Sequence, residues 1–326
     1  MRSVDRSSYG PPEALRVSDL PVPSPGPGEI LVRVHVATVN RTDCGGLRGE
    51  PYIFRFFAGF PKPRHRATGT DFAGVIEKIG ADVGNYAVGD RVWGFNDHGA
   101  GTHAEYAVIP VRSSNGAVAK IPEGLSFEDA VGSIEGAHYA INFINKVKLR
   151  PGDKVLVNGG TGAIGSAAIQ ILKARDIQVT AVCAGPHVER VAKLGPDRVI
   201  DYTKLDYTQE ALQYDFVFDA VGKNTFGTSR RVLTPQGIYI SSELGPGAEN
   251  IYLALITPWR AGQKVVFPIP TNIAGSLQIM TELLVAGKFR PLIDREYPIE
   301  RISEAFRYVE SGQKIGNVIL RMSPSS

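Results

Sequence analysis

The chain has 326 residues, 43% of them apolar and 21% charged, which is ordinary globular composition and excludes a disordered or collagen-like protein. Its length suits about two domains. Thirty-six Lys and Arg against 33 Asp and Glu leave a net charge of +3, too little to imply nucleic acid or an acidic membrane as partner.

The first third reads as β-rich. Residues 30–39 (ILVRVHVATV) alternate apolar and polar with many β-branched positions, which predicts a half-buried strand. A Pro/Gly stretch over 21–28 precedes it as a surface loop. Residues 74–79, 90–95 and 104–110 are further short strands, with Gly-rich turns between them, and suggest a small antiparallel barrel. After Pro122 the texture changes. Strands are predicted at 154–158, 178–183, 198–200, 215–220, 237–241 and 264–267, spaced by helical stretches. Their near-continuous apolar runs mark strands buried on both faces, hence a doubly wound parallel sheet. Helices over 273–286 and 302–311 and a strand over 317–321 close the chain.

The strongest local signal is Val155-Leu-Val-Asn158 followed by Gly159-Gly-Thr-Gly-Ala-Ile-Gly165. Gly160, Gly162 and Gly165 fit G-x-G-x-x-G, and the next residues open a helix. Such glycines make a tight turn, admit a pyrophosphate and let helix and strand pack closely, while the helix N-terminus offers free N–H groups. Dinucleotide binding is expected, with Gly160, Thr161, Gly162, Ala163, Ile164 and Gly165 as contacts. The ribose should be read after the second strand, at Cys183 and Ala184. No Asp or Glu stands there, which disfavours NAD. His187 and Arg190 are candidates for a 2′-phosphate, so NADP (NADPH) is the expected cofactor. His187 as an exposed first-turn residue is the plainer alternative.

Cys44 and Cys183 form no CxxC pair, which excludes a four-cysteine zinc lobe and a disulfide scaffold. A reducing, cytoplasmic setting is expected. No signal peptide and no membrane span are expected either, since no run of about 18 apolar residues occurs.

The whole chain resembles the medium-chain dehydrogenase/reductase superfamily, on the zinc-independent quinone oxidoreductase branch. Val39-Asn-Arg-Thr-Asp43, Gly69-Thr-Asp-Phe-Ala-Gly74, Val88-Gly-Asp-Arg-Val92 and Ala104-Glu-Tyr106 resemble its barrel motifs. The 148–157 stretch with its glycine turn, Leu194-Gly-Pro-Asp-Arg-Val-Ile-Asp-Tyr202 and Phe218-Asp-Ala-Val-Gly222 resemble its cofactor half. The resemblance implies an α/β chain: a GroES-like β-barrel catalytic domain (1–124 and 270–326) and a Rossmann doubly wound cofactor domain (125–269). It adds Tyr202, Ala220, Val221 and Gly222 to the cofactor contacts. It also implies a homodimer paired through residues 264–268.

Zinc-dependent relatives place ligands where this chain has Asn40, Thr70-Asp71 and Ile134, which cannot supply a tetrahedral site. No metal is therefore expected; a substitute cluster of Asp97, His98 and His103 is a weaker alternative to a polar loop. The implied activity is metal-free hydride transfer from NADPH to a quinone or an α,β-unsaturated carbonyl. Alternatives are an enoyl-thioester reductase and a non-catalytic, redox-sensing NADPH-binding protein; alcohol dehydrogenation is weaker still. The resemblance places Asn40 beside the nicotinamide, donating to a substrate oxygen, unless it simply ends its strand. Asp43 orients Asn40 or caps the next turn. Tyr52 is an acid or a pocket-lining residue. His138 stands near the nicotinamide and donates to substrate or ribose, or is a packed helix residue; Glu135 is its candidate partner or a solvated charge. Residues 51–66 suggest an aromatic flap with cationic edges.

Overall fold

The structure, a computed structural model, describes residues 1–52, 55–96 and 101–322, apart from the side chain of Phe57. Internal contacts divide the chain into two units. One comprises Met1–Glu135, Ile273–Thr281 and Leu292–Ser326; the other comprises Gly136–Asn272 and Glu282–Pro291.

The first unit opens with an antiparallel pair, β1 (Arg2–Arg6) and β2 (Leu15–Asp19). Strand β3 (Glu29–Val39) follows, then the short helices α1 (Arg41–Arg48) and α2 (Arg55–Ala58). Next come β4 (Asp71–Ile79), β5 (Arg91–Asn96), β6 (Tyr106–Pro110), β7 (Gly116–Lys120) and α3 (Phe127–Gly132). The chain then enters α4 (Glu135–Asn145) and the second unit.

The second unit carries β8 (Lys154–Asn158), α5 (Ala163–Lys173), β9 (Gln178–Cys183), α6 (Val188–Ala192) and β10 (Arg198–Asp201). It continues with β11 (Tyr214–Asp219), α7 (Phe226–Ser229), β12 (Leu233–Ser241), α8 (Glu249–Ile256) and β13 (Lys264–Val266). Its sheet runs β10-β9-β8-β11-β12-β13, parallel throughout. Val155, Leu156 and Val157 of β8 are wholly buried, as a central parallel strand requires. The order reverses between β8 and β11. The carboxyl ends of those strands therefore form the crevice where such sheets bind ligands.

The chain closes with α9 (Ile273–Val285), then β14 (Ile293–Pro298), α10 (Ile302–Glu310) and β15 (Asn317–Arg321) in the first unit. The first unit's sheet runs β14-β15-β3-β4-β5-β7, with β6 also paired to β3. One edge of β3 is shared: β6 takes its first half, Glu29↔Pro110 to Arg33↔Tyr106, and β15 its second, Val36↔Arg321 to Val39↔Val318. Ile30, Val32, Val34, Phe72, Phe306 and Leu320 belong to the core beneath. Beyond the opening pair β1 and β2, two further strands carry no apolar signal. β7 (GAVAK) has no fully buried residue, and β14 buries only Tyr297. β12 begins at Leu233 rather than 237, because a register shift between Tyr214 and Phe216 lets Leu233 pair with Tyr214.

Candidate functional site

In the second unit the glycine turn has the expected construction, with one reassignment. The left-handed residue is Gly159 (φ 90°), one position before the G-x-G-x-x-G run. The N–H groups of Gly159 and Gly160 both donate to Val182 O, at 3.2 and 2.9 Å, which ties the turn to β9. A Cβ on Gly165 would lie 2.1 Å from Gly159 O, so α5 and β8 meet backbone to backbone. Gly162 differs: a Cβ there would meet no protein atom closer than 3.5 Å. Packing does not require that glycine. It is the N-cap residue of α5, and the space in front of it stands at a helix end rich in unpaired N–H groups. The cradle fits a pyrophosphate.

Asp219, wholly buried at the end of β11, organises the neighbouring loop. Its Oδ1 accepts from Asn158 Nδ2 (2.9 Å), Val221 N (3.0 Å) and Gly222 N (3.2 Å); Oδ2 accepts from Tyr239 Oη at 2.8 Å. Ala220, Val221 and Gly222 are thus fixed by a side chain that the sequence showed only as part of a motif. Beyond β9, Cys183 is buried and its carbonyl accepts from Tyr202 N at 3.0 Å. Tyr202 is exposed, and His187 and Arg190 are half-buried, on the 3-10 turn Gly185–His187 and on α6, which follow Ala184. The carboxylate of Asp201 lies against this loop, since a Cβ on Gly185 would come within 2.6 Å of its Oδ2.

His138 is buried on α4 in the second unit. One turn on, Asn142 donates from Nδ2 to His138 O at 2.9 Å and accepts from Thr271 N at 2.9 Å. The His138 ring tilts against Tyr139, with centroids 5.8 Å apart. The Glu135 carboxylate, its suggested partner, accepts from three other side chains.

In the first unit Glu135 is 5% exposed, not a solvated charge. Its Oε2 accepts from Asn40 Nδ2 at 2.6 Å and Thr70 Oγ1 at 3.3 Å, and its Oε1 from Thr42 Oγ1 at 2.6 Å. Asn40 Nδ2 also donates to Thr38 Oγ1. The Thr38 hydroxyl in turn donates to Asp71 Oδ2, and Thr38 N to Asp71 Oδ1 at 2.7 Å. Asp71 thereby turns Thr38 into an acceptor, and both amide hydrogens of Asn40 are engaged. Direct donation from Asn40 to a substrate requires one of them to be released. Asp43 accepts from Asn40 N at 2.9 Å, forming a capping box at the start of α1. Thr42 is the half-buried member of this otherwise buried group.

Burial dominates the electrostatics. It lifts the Asp43 carboxyl to about 7, against the pull of Asn40 N–H and Arg6. Burial and then Asp43 lift Glu135 to about 7. Asp71 is raised well above the usual range by burial and by Glu135. Lys314 is lowered by burial, with Glu135 acting against that shift. His103 sits below the network with both ring nitrogens used, Nε2 on Thr38 O (2.9 Å) and Nδ1 on Thr68 Oγ1 (3.0 Å). Since a carbonyl only accepts, Nε2 carries the proton. Burial holds this ring down at about 4.

Tyr52 takes no part in the hydrogen bonds described for this network. It is 66% exposed, and its ring lies over the Arg55 guanidinium at 4.5 Å, with Tyr9 on the same cation at 4.6 Å. In the 51–66 segment Phe56 and Phe60 are exposed and stacked; Ile53 and Phe54 lie outside the described residues. So do Asp97 and His98 of the alternative metal cluster.

Residues 26–123 match the family described as alcohol dehydrogenase GroES-like domain, and residues 194–320 the one described as zinc-binding dehydrogenase. The chain is 31% identical to the mitochondrial NAD(P)H oxidoreductase RTN4IP1 of Mus musculus, over 96% of this chain and 87% of that one. It is 28% identical to the chloroplastic quinone-oxidoreductase QR1 of Triphysaria versicolor, over 98% of each. The fold matches the solved quinone oxidoreductase of Coxiella burnetii with a TM-score of 0.85 at 23% identity, over 99% of each chain. The zinc of the second family description does not suit the residues present. At the positions where zinc-dependent relatives carry ligands, Asn40 and Thr70 hydrogen-bond to one carboxylate beside the apolar Ile134. No thiolate or imidazole stands among them, where zinc takes three or four such donors. Among the described residues no three His, Cys, Asp or Glu side chains converge as a metal site. The chain belongs to the medium-chain dehydrogenase/reductase superfamily, on its quinone-oxidoreductase-like branch.

Proposed function

We propose that the protein is an NADPH-dependent, zinc-independent reductase of quinones or α,β-unsaturated carbonyls. The observation that carries this is the Asn40–Glu135–Thr70 cluster: hydrogen bonds occupy the positions that resemble a zinc site. When bound, NADPH supplies the hydride. Acceptors whose added charge delocalises need no Lewis acid, only positioned donors where that charge develops. Asn40 becomes such a donor once it releases Thr38 or Glu135, and the half-buried Thr42 hydroxyl once it turns away from Glu135. Gly160 to Gly165 bind the pyrophosphate, Asp219 holds Ala220 to Gly222 in place, and His187, Arg190 and Tyr202 meet the adenosine end. Names of relatives support the substrate class, for QR1 is a quinone oxidoreductase and another relative a 2-methylene-furan-3-one reductase.

A homodimer is also proposed. β13 is a free sheet edge, and α8, packed beside it, exposes Tyr252 and Leu255, with Trp259 just beyond. Two buried, unpaired cysteines suit a reducing compartment such as the cytoplasm. No helix among the described residues is long and apolar enough to cross a membrane.

The test follows NADPH and NADH oxidation with a chelator present, against quinones, enones, an enoyl thioester and aldehydes. Chelator-resistant turnover of quinones or enones, faster with NADPH, is expected. Turnover confined to aldehydes and abolished by chelator overturns the proposal.

A further inference from the structure

The end of the second unit's sheet opposite the glycine turn carries an open cavity of about 450 Å³. The loop before β8 supplies Lys148, Leu149 and Arg150 to it, and the loop before β9 supplies Arg175 and Ile177. β8 and β9 pair in parallel, Lys154↔Gln178, so both loops lie at the same end of adjacent strands. The glycine turn leaves β8 at its other end, roughly 17 Å away for a five-residue strand.

The charge around this cavity is one-sided. Its lining includes three cations and no carboxylate. Other surface cations do find carboxylates, as in Lys173–Asp197, Arg198–Glu210 and Arg48–Glu310. Among the described residues the side chains of Lys148, Arg150 and Arg175 make no hydrogen bond or ion pair. The neighbouring Asp153 is used on the Arg150 backbone N–H at 2.7 Å. Desolvation alone shifts the Arg175 guanidinium, downward, with no acid compensating. Ile144, Leu149 and Ile177 give the cavity an apolar wall.

We propose that this cavity is a second anion site, independent of the cofactor turn, which takes a phosphate monoester: Arg175, Arg150 and Lys148 hold the phosphate and the apolar wall takes the first carbons of its organic stem. Guanidinium groups suit phosphate because their forked N–H donors match its oxygens. The same chemistry is offered by a free organic phosphate and by a phospholipid headgroup.

The experiment titrates the NADPH-saturated protein calorimetrically with octyl phosphate, with octanol as the uncharged control, and in a second arm with phosphatidic-acid vesicles. NADPH fills the phosphate-binding turn, so that turn cannot answer. Saturable binding of one octyl phosphate per chain is expected, absent for octanol and weakening below pH of about 6 as the phosphate takes up a proton. Arg175→Gln and Arg150→Gln should each weaken it about tenfold or more. Both positions are exposed, so an unchanged melting temperature confirms folding. Binding to vesicles alone, lost in the same variants, supports the site and assigns its ligand to a lipid headgroup. No binding in either arm, or binding that survives both substitutions, overturns the proposal. Its outcome does not depend on turnover and leaves the assigned activity untouched.

Discussion

Glu135→Gln isolates the charge of the carboxylate that anchors Asn40. The substitution keeps the side chain's shape and an acceptor for Asn40 Nδ2, and the Thr42 hydroxyl can turn to accept from the new amide. In the folded protein the carboxyl is raised from its ordinary 4.5 to about 7 by burial and by Asp43. Between those values the folded state binds more protons than the unfolded one. Stability from this group is therefore full below pH 4.5 and is lost as pH rises through about 7. At about 1.4 kcal/mol per tenfold change in proton affinity, the loss approaches about 3 kcal/mol. His103 acts in the opposite sense: held at about 4 instead of 6.5, it loses stability as pH falls through that range. Comparing wild type and Glu135→Gln at the same pH cancels the His103 contribution. Urea unfolding at about pH 5 and about pH 8 should show the Gln variant gaining on wild type by up to ~3 kcal/mol at the higher pH. A difference that is the same at both pH values refutes the buried-carboxyl account of this anchor. Glu135→Ala instead leaves buried donors on Asn40 and Thr70 unanswered, at about 1–3 kcal/mol each, and should be destabilised even at the lower pH.

Other outcomes follow from features elsewhere in the molecule. Gly165→Ala puts a methyl 2.1 Å from Gly159 O; NADPH affinity measured by fluorescence should fall about tenfold or more, with a lower melting temperature. Asp219→Ala strips the acceptor from Asn158, Tyr239 and two backbone N–H groups, and a loss of about 3 kcal/mol or more is expected in urea unfolding. Trp259→Asp places a charge on a residue that is 90% exposed; the fold should persist while size-exclusion light scattering shows the proposed dimer dissociating, and an unchanged oligomer rejects that interface.

The sequence made some of these features legible and hid others for a physical reason. β8, β9 and β15 were placed to the residue because buried parallel strands and the last barrel strand are written as contiguous apolar runs. The glycine turn was legible because its geometry is local. Glu135 was not, since its three donors come from the end of β3 and its neighbours Asn40 and Thr42, and from Thr70 beside β4. A Glu opening a helix looks solvated until the tertiary fold covers it. The spacing that suggested a Glu135–His138 pair, three positions on one helix, gave no sign of those distant partners. Tyr52 was visible as an aromatic near Asn40 in sequence; its cation–π stack with Arg55 was not.

The shared edge of β3 sets the order in which the chain can finish folding. β6 covers only the first half of that edge; the second half waits for β15, whose Val318 pairs with Val39 across the whole second unit. During synthesis the second unit is complete before that partner emerges. Until then β3 presents a short row of unpaired backbone groups, a template for another strand. The closing strand is thus a latch that seals an aggregation-prone edge. Contacts so remote in sequence are slow to form, so the first unit begins first and closes last.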